Sequence, residues 1–256
     1  MNDPSFTENI LVIVKTYPTV SKKWGATVCT AGINESGEWR RLYPVPWKIF
    51  SNKGGFRKWD IINVKIKKNP RDRRQESYLV TEPDNVSVIG HIDHGDKWIK
   101  RNKIIEELMV DSLESLKDTG LSLGVIKPTK NRFYQKERSC IDSENTISSR
   151  MVSIDSFGNN GIPVPENLPW IGFGFKCDSH DCKGHNMMCL DWEIQEQYRR
   201  LGYEKTAEKI EWMQDKRDLH FIMGSNYLSF RFKDLWHVIG VYYPPKRNES
   251  KLTDFI

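Results

Sequence analysis

Apolar and polar positions fall into two rhythms along this chain, and the change of rhythm divides it. The N-terminal part has the short period of strands. Ile10 to Lys15 is a continuous apolar run ended by Tyr17-Pro18, which predicts a buried strand with a turn after it. Thr27 to Ile33 predicts a second strand, Asn34-Glu35-Ser36-Gly37 supplies turn residues, and Glu38 to Tyr43 predicts a return strand closed by Pro44. Within Trp59 to Lys68 apolar and polar residues alternate from Ile62 on, the mark of a half-buried strand with lysines on its outer face. A basic loop, Asn69 to Arg74, then leads into a strand over Glu76 to Val80, and Val86 to Ile89 predicts a last one.

The rhythm then lengthens. Between Lys97 and Lys117, Ile99, Ile104, Ile105, Leu108, Met109, Leu113 and Leu116 recur at helical spacing, predicting two helices broken near Val110-Asp111. Leu121 to Ile126 reads as a strand stopped before Pro128. Thr129 to Asn167 is poor in aliphatic residues and predicts a long connector or loop. Order returns with strands over Trp170 to Phe175 and Asn186 to Leu190, a helix starting near Glu193 over Ile194 to Leu201 and Glu204 to Lys216 with an interruption at Gly202, and strands over Leu219 to Met223 and Trp236 to Tyr243. The expected fold class is therefore α+β. It comprises an N-terminal small β-barrel module (1–128) with a helical middle, a connector (129–169), and a C-terminal α/β sandwich (170–256) built around a Cys/His knuckle.

Composition narrows this only modestly. The chain has 256 residues, 38% hydrophobic and 29% charged, enough for a sizeable core. A net charge of +5 suits a polyanionic partner without requiring one. The apolar run near the N-terminus is too short for a signal segment, and no window approaches a membrane span. Five cysteines, an odd number unevenly placed, do not form a disulfide framework, so a cytoplasmic protein with reduced thiols is expected.

Candidate chemistry concentrates in Cys177 to Glu193, CDSHDCKGHNMMCLDWE. Cys177, His180, Cys182 and His185 are zinc ligands by type, although four ligands within nine residues demand a tight wrap. Fewer local ligands completed by a distant group, such as His220 or Cys189, make an easier site. A catalytic reading instead takes Asp191 and Glu193, which share a face, with His185 or His220 as base and Mg²⁺ or Mn²⁺ as cofactor of a phosphodiesterase. A third reading needs no ligand: Asp191 caps the following helix, Glu193 favours its dipole, and Cys189 fills the core. His91 and His94 with Asp93 and Asp96 are either ligands or helix-capping and surface groups.

The densest basic region lies in the β-rich part. Trp39, Arg40 and Arg41 share one strand, and Lys65, Lys67, Lys68, Arg71, Arg73 and Arg74 follow close by. An aromatic with guanidiniums can stack a base and hold its phosphate; equally, Trp39 and Leu42 can fill the core with the arginines solvated. VCTAGI, the turn and EWRRLYPVP, within residues 10 to 80, resemble OB-like modules of some uncharacterised prokaryotic proteins, a likeness that implies a nucleic-acid-binding barrel. CKGH, LDWE, DLHFIMGS and HVIGVYYPP resemble strings of uncharacterised bacterial and phage proteins, some near defence or mobile-element genes. That likeness implies His185, Asp191, Glu193, Asp218 and His220 as a shared polar set.

These readings converge on a protein that binds DNA or RNA and carries a compact zinc site, with a prokaryotic defence or mobile-element role implied by the resemblance. The alternatives are a metal-dependent nuclease and a non-enzymatic partner or sensor subunit whose Thr129–Asn167 loop orders on contact with another protein.

Overall fold

The apolar run at the start of the chain is buried on both faces because it serves two cores at once. A computed structural model describes residues 4–21, 25–46, 49, 55–137, 169–226 and 235–246. Strand β1 (Phe6–Lys15) sends Ile10 and Val12 into one hydrophobic cluster and Leu11 and Ile13 into another. A register shift between Val12 and Val14 then turns Val14 to the side of Leu11 and Ile13.

The first cluster fills a closed barrel. Strands β3 (Gly25–Ile33), β4 (Trp39–Pro46), β5 (Asp60–Lys68) and β6 (Ser77–Val80) join β1 in the order β1-β3-β4-β6-β5, and β5 pairs back onto β1. Only the β4–β6 pairing is parallel. A five-stranded barrel with this order and one parallel pair is OB-like, as the resemblance of the N-terminal strings implies. Ile62, Val64 and Ile66 point inward from β5, so Asn63, Lys65 and Lys67 face out. Short β2 (Thr19–Ser21) pairs with β3, and β7 (Ser87–His91) pairs with β5.

Helices α1 (Ile99–Glu107) and α2 (Leu113–Asp118) lead out of the barrel, broken near Val110 as the periodicity predicts. Strand β8 (Leu123–Ile126) then joins β12 (His220–Ser225) and β13 (Trp236–Tyr242) in an antiparallel sheet. The second sheet holds β9 (Thr129–Lys136), β10 (Trp170–Lys176) and β11 (His185–Met188). The stretch beginning at Thr129, expected to be connector, thus starts as a strand: Phe133 is buried against Phe173, anchoring an otherwise polar segment. Residues 138–168 of that predicted connector lie outside the described residues. Helix α3 (Trp192–Lys216) packs Ile194, Tyr198, Ile210 and Met213 into the core of this half. Its kink is at Gly202, whose φ of 78° suits glycine.

The second cluster of β1 is the joint between the halves. Leu11, Ile13, Val14, Ala31 and Trp39 of the barrel pack with Leu123, Val125, Ile222 and Ile239 of the β8-β12-β13 sheet. Polar contacts lock the same joint. The guanidinium of Arg41, 3% exposed, donates to Ser122 O (2.9 Å) and Oγ (3.0 Å), and buried Glu76 accepts from the Ser122 amide. Among the described residues, no helix is long and apolar enough to cross a membrane, and Cys29, Cys177, Cys182 and Cys189 are free thiols.

Candidate functional site

A cleft of about 480 Å³ opens where the barrel meets the C-terminal half. The β1 end, the β5 start, the β7–α1 turn, the start of α3 and the end of β13 all contribute to its walls. Aromatic faces make much of the lining. Trp59 and Trp98 each pack against Tyr242, with ring centroids 5.5 and 5.6 Å away, and Trp192 forms another part of the wall. Cations sit among them. The Arg101 guanidinium lies 4.8 Å from the Trp59 ring centre and 5.4 Å from that of Trp98, and burial pushes its pKa down. Arg57 is exposed at the rim, with 75% of its side chain accessible.

Backbone strain collects here. Four non-glycine residues among those described have positive φ; Trp59 (72°) and Trp98 (71°) line the cleft, and Lys97 (57°) precedes Trp98. Each such residue costs about 1–3 kcal/mol and persists only where its surroundings hold it. At Trp59 the backbone N–H donates to Val12 O (2.6 Å) and the carbonyl accepts from Ile92 N (2.9 Å), so both sides of the strained residue are fixed.

The charged floor of the cleft explains Asp191 and Glu193. Asp191 is fully buried, and each carboxylate oxygen takes two donors. Oδ1 accepts from the amides of Glu193 (2.9 Å) and Ile194 (3.1 Å), capping α3; Oδ2 accepts from Lys58 Nζ (2.6 Å) and the Val241 amide (2.9 Å). Lys58 Nζ also lies 3.3 Å from Glu193 Oε2. Burial alone would push the Lys58 ammonium down, but the two carboxylates outweigh it and hold its pKa above the ordinary lysine range. A lysine therefore stands where a cation bridging Asp191 and Glu193 would sit. Lys15 lies 4.5 Å from the Trp192 ring centre and donates to Phe56 O (3.0 Å). Burial first, and then the neighbouring Lys58, pushes its pKa down to about 8.

His185 and His220, the predicted bases, do not line this cleft. His220 is buried, and its Nδ1 donates to Asp218 O (3.0 Å). The cleft instead takes His91, whose Nδ1 meets Asp60 Oδ1 at 2.6 Å and whose Nε2 faces Arg101 at 3.3 Å, and His94, whose ring packs on Trp98. His91 and His94 do not converge with Asp93 and Asp96 in a metal group.

The knuckle between β10 and β11 brings three of its four predicted ligands together. Cys177 Sγ and Cys182 Sγ lie 3.5 and 3.3 Å from His185 Nε2, and the three donor atoms lie within 4.8 Å of one another. Gly184, at φ 98°, makes the turn that returns His185 to the cysteines. His180 stands apart in solvent, its ring near Asp181, because the turn projects it outward. Neither His220 nor Cys189 joins the group; Cys189 is fully buried in the core. The three-residue group can hold a metal ion. Burial pushes the Cys177 thiol up and the His185 imidazole down.

The basic residues of the barrel divide by role. Trp39 and Arg41 are buried at the joint. Arg40 pairs with Glu8 (2.7 Å) and Glu38 (2.8 Å), and Arg74 with Asp72 (2.5 Å) while donating to Ser225 O (2.6 Å). Lys65 pairs with Glu82 (2.5 Å), and Lys68 donates to the Gln75 carbonyl. Arg71 and Arg73 are exposed, and Arg71, Lys67 and the half-exposed Tyr43 line a second groove of about 390 Å³. The cleft residues that pattern reading missed, Lys15, Arg57, Trp59, Trp98, Arg101 and Tyr242, are scattered over some 230 positions of sequence and share no motif. A tryptophan at each end of the β5-to-α1 segment was the visible signal.

Residues 6–107 match the family described as Domain of unknown function (DUF8758), and residues 109–256 match Domain of unknown function (DUF8757). No curated protein matches the chain. Among solved structures, the tetrameric p202 HIN2 crystal structure is similar at 10% identity and a TM-score of 0.35, over 96% of each chain. A likeness at that score carries no argument about function.

Proposed function

The chain belongs to the DUF8757 family, matched over more than half its length, and from its own cleft we propose that it is a nucleic-acid-binding protein that takes up single strands. The carrying observation is one cavity in which tryptophan faces and cationic side chains converge. Stacking on aromatic rings holds any base by its π-face, and nearby cations hold the phosphate; this is how single strands are bound without base pairing. A volume of about 480 Å³ falls within the range of small-ligand sites, enough for one nucleotide unit. Trp98 and Trp192 are the stacking faces, Arg57 is the phosphate contact, Lys15, which donates to Phe56 O, adds positive charge beside it, and the strained turns at Trp59 and Trp98 keep the walls preorganised.

The exposed cations of the barrel extend the path. Strand β5 runs from the cleft at Trp59 to the loop beginning at Asn69, at most about 33 Å at the usual rise per residue. A strand of several nucleotides seated in the cleft can reach Lys67, Arg71 and Arg73 at the far end. Lys65, Lys68, Arg40 and Arg74, already engaged within the protein, contribute charge rather than direct grip.

A divalent-metal phosphodiesterase centred on Asp191 and Glu193 has little support in this geometry. Both oxygens of Asp191 are saturated by donors, and Lys58 holds the cation position. The knuckle is read as a zinc site from its two cysteines and one imidazole, with a structural part: it ties together a hairpin whose Cys177, Cys182 and His185 do not line the cleft.

Equilibrium binding of a labelled single-stranded oligonucleotide across a salt series tests the reading. Log affinity should fall linearly with log salt, with a slope of about −0.7 per phosphate neutralised. Arg57→Ala and Arg71→Ala should each flatten that slope. Absent binding, or affinity indifferent to salt, would overturn the proposal.

A further inference from the structure

The knuckle gathers two sulfurs and one nitrogen, and its surroundings supply a fourth donor from elsewhere in the chain. Glu114, on the first turn of α2, places Oε2 3.7 Å from Cys177 Sγ and 4.0 Å from His185 Nε2. We propose that Glu114 is the fourth ligand of a closed, four-coordinate zinc site with Cys177, Cys182 and His185, and that the metal staples α2 to the β10–β11 hairpin. The proposal rests on the reading of the knuckle as a metal site and adds the ligand that completes it.

Tetrahedral geometry sets the standard. Zn–S bonds of about 2.3 Å and Zn–N and Zn–O bonds of about 2.0–2.1 Å put sulfur about 3.6 Å from nitrogen or oxygen and nitrogen about 3.4 Å from oxygen. The two sulfur-to-nitrogen separations, 3.5 and 3.3 Å, and the sulfur-to-oxygen separation, 3.7 Å, match within a few tenths of an ångström. The nitrogen-to-oxygen gap of 4.0 Å is wider, and Glu114 stands outside the three donors that meet within 4.8 Å of one another, so its half-exposed carboxylate must move toward Cys182 as the metal binds.

The environment is that of a thiolate cage. The Cys177 amide points at Cys182 Sγ (3.4 Å), and the amides of Leu113 and Ser179 point at the Cys177 sulfur. Amide donors of this kind surround metal-bound sulfur and orient it. One of them, Leu113, belongs to the same helix start as Glu114, so α2 supplies both a ligand and a donor that supports another ligand. Favouring the helix dipole would also explain an acidic residue at this position, but it would not require the carboxylate to meet Cys177 and His185. Apolar groups make another part of the wall: the His185 ring packs on Phe175, and both cysteines are buried in the core, with the Lys117 ammonium the nearby cation. A fourth protein ligand closes the site to substrate, which is the difference between structural and catalytic zinc.

The test loads the full chain with Zn²⁺ or Co²⁺. One metal should bind per chain, and X-ray absorption of the zinc form should show two sulfur and two nitrogen or oxygen neighbours. Glu114→Ala should weaken zinc by at least about tenfold. Glu114→Cys should restore affinity and, in the Co²⁺ form, strengthen the sulfur-to-metal charge-transfer band by a third thiolate. Metal that binds with unchanged affinity in Glu114→Ala and an unchanged band in Glu114→Cys would overturn the fourth ligand and leave the three-residue site. A chain that takes up neither metal would overturn the metal site itself.

Discussion

Asp191, one of the acidic residues singled out by the sequence, meets four donors in a fully buried position. It caps α3, holds the last strand through the Val241 amide and neutralises Lys58, all without exposure. Removing one member of such a buried pair leaves an uncompensated charge, at a cost of about 3–5 kcal/mol. Lys58→Ala should therefore lower stability by that order in denaturant unfolding; a loss below about 1 kcal/mol would show that the pair is not the keystone described here. Lys15 gives a prediction of a different kind. Its pKa is about 8 in the folded chain against an ordinary 10.5. Between those values the unfolded chain binds more protons, so this group's contribution to stability rises as pH rises through the window and is lost as pH falls through about 8. Phosphate binding has the opposite sign, because it needs the charged ammonium. Oligonucleotide affinity should weaken as pH rises past 8, and Lys15→Gln should remove that dependence.

At the scale of elements, much was legible. The uninterrupted apolar run of Ile10 to Val14 implied a buried strand, and β1 is buried on both faces, against two cores. Alternation from Ile62 placed lysines outside the barrel, and the break in helical period at Val110 placed the gap between α1 and α2. Gly202 marked the kink of α3, and because its φ of 78° with ψ of −176° is a conformation almost confined to glycine, Gly202→Ala should cost about 1–3 kcal/mol in thermal or denaturant unfolding. What stayed hidden depends on distance in sequence. Pattern alone marked Arg41 as basic and could not show that Ser122, 81 residues away, waits to accept its bonds. Nor could it pick Glu114 as the neighbour of a knuckle 63 residues on. His180 fitted the ligand spacing but faces solvent, since spacing fixes reach along the chain and not the side of a turn.

At the scale of the whole molecule, the joint makes the two halves one object. Barrel residues such as Leu11 and Ile13 pack against Ile222 and Ile239, Arg41 and Glu76 bridge to Ser122, and the cleft takes walls from both sides. The cleft therefore exists only when the halves are docked, and loss of the joint should abolish binding even with every cleft residue present. The most direct measurement is fluorescence anisotropy of a labelled single-stranded oligonucleotide titrated with the wild-type chain and with Trp98→Ala, at one moderate salt concentration. The account predicts saturable wild-type binding and a roughly ten- to hundredfold loss in the variant, the worth of one stacked base. Equal affinity in the two proteins, with the variant folded, would contradict the assignment of the cleft as the nucleic-acid site.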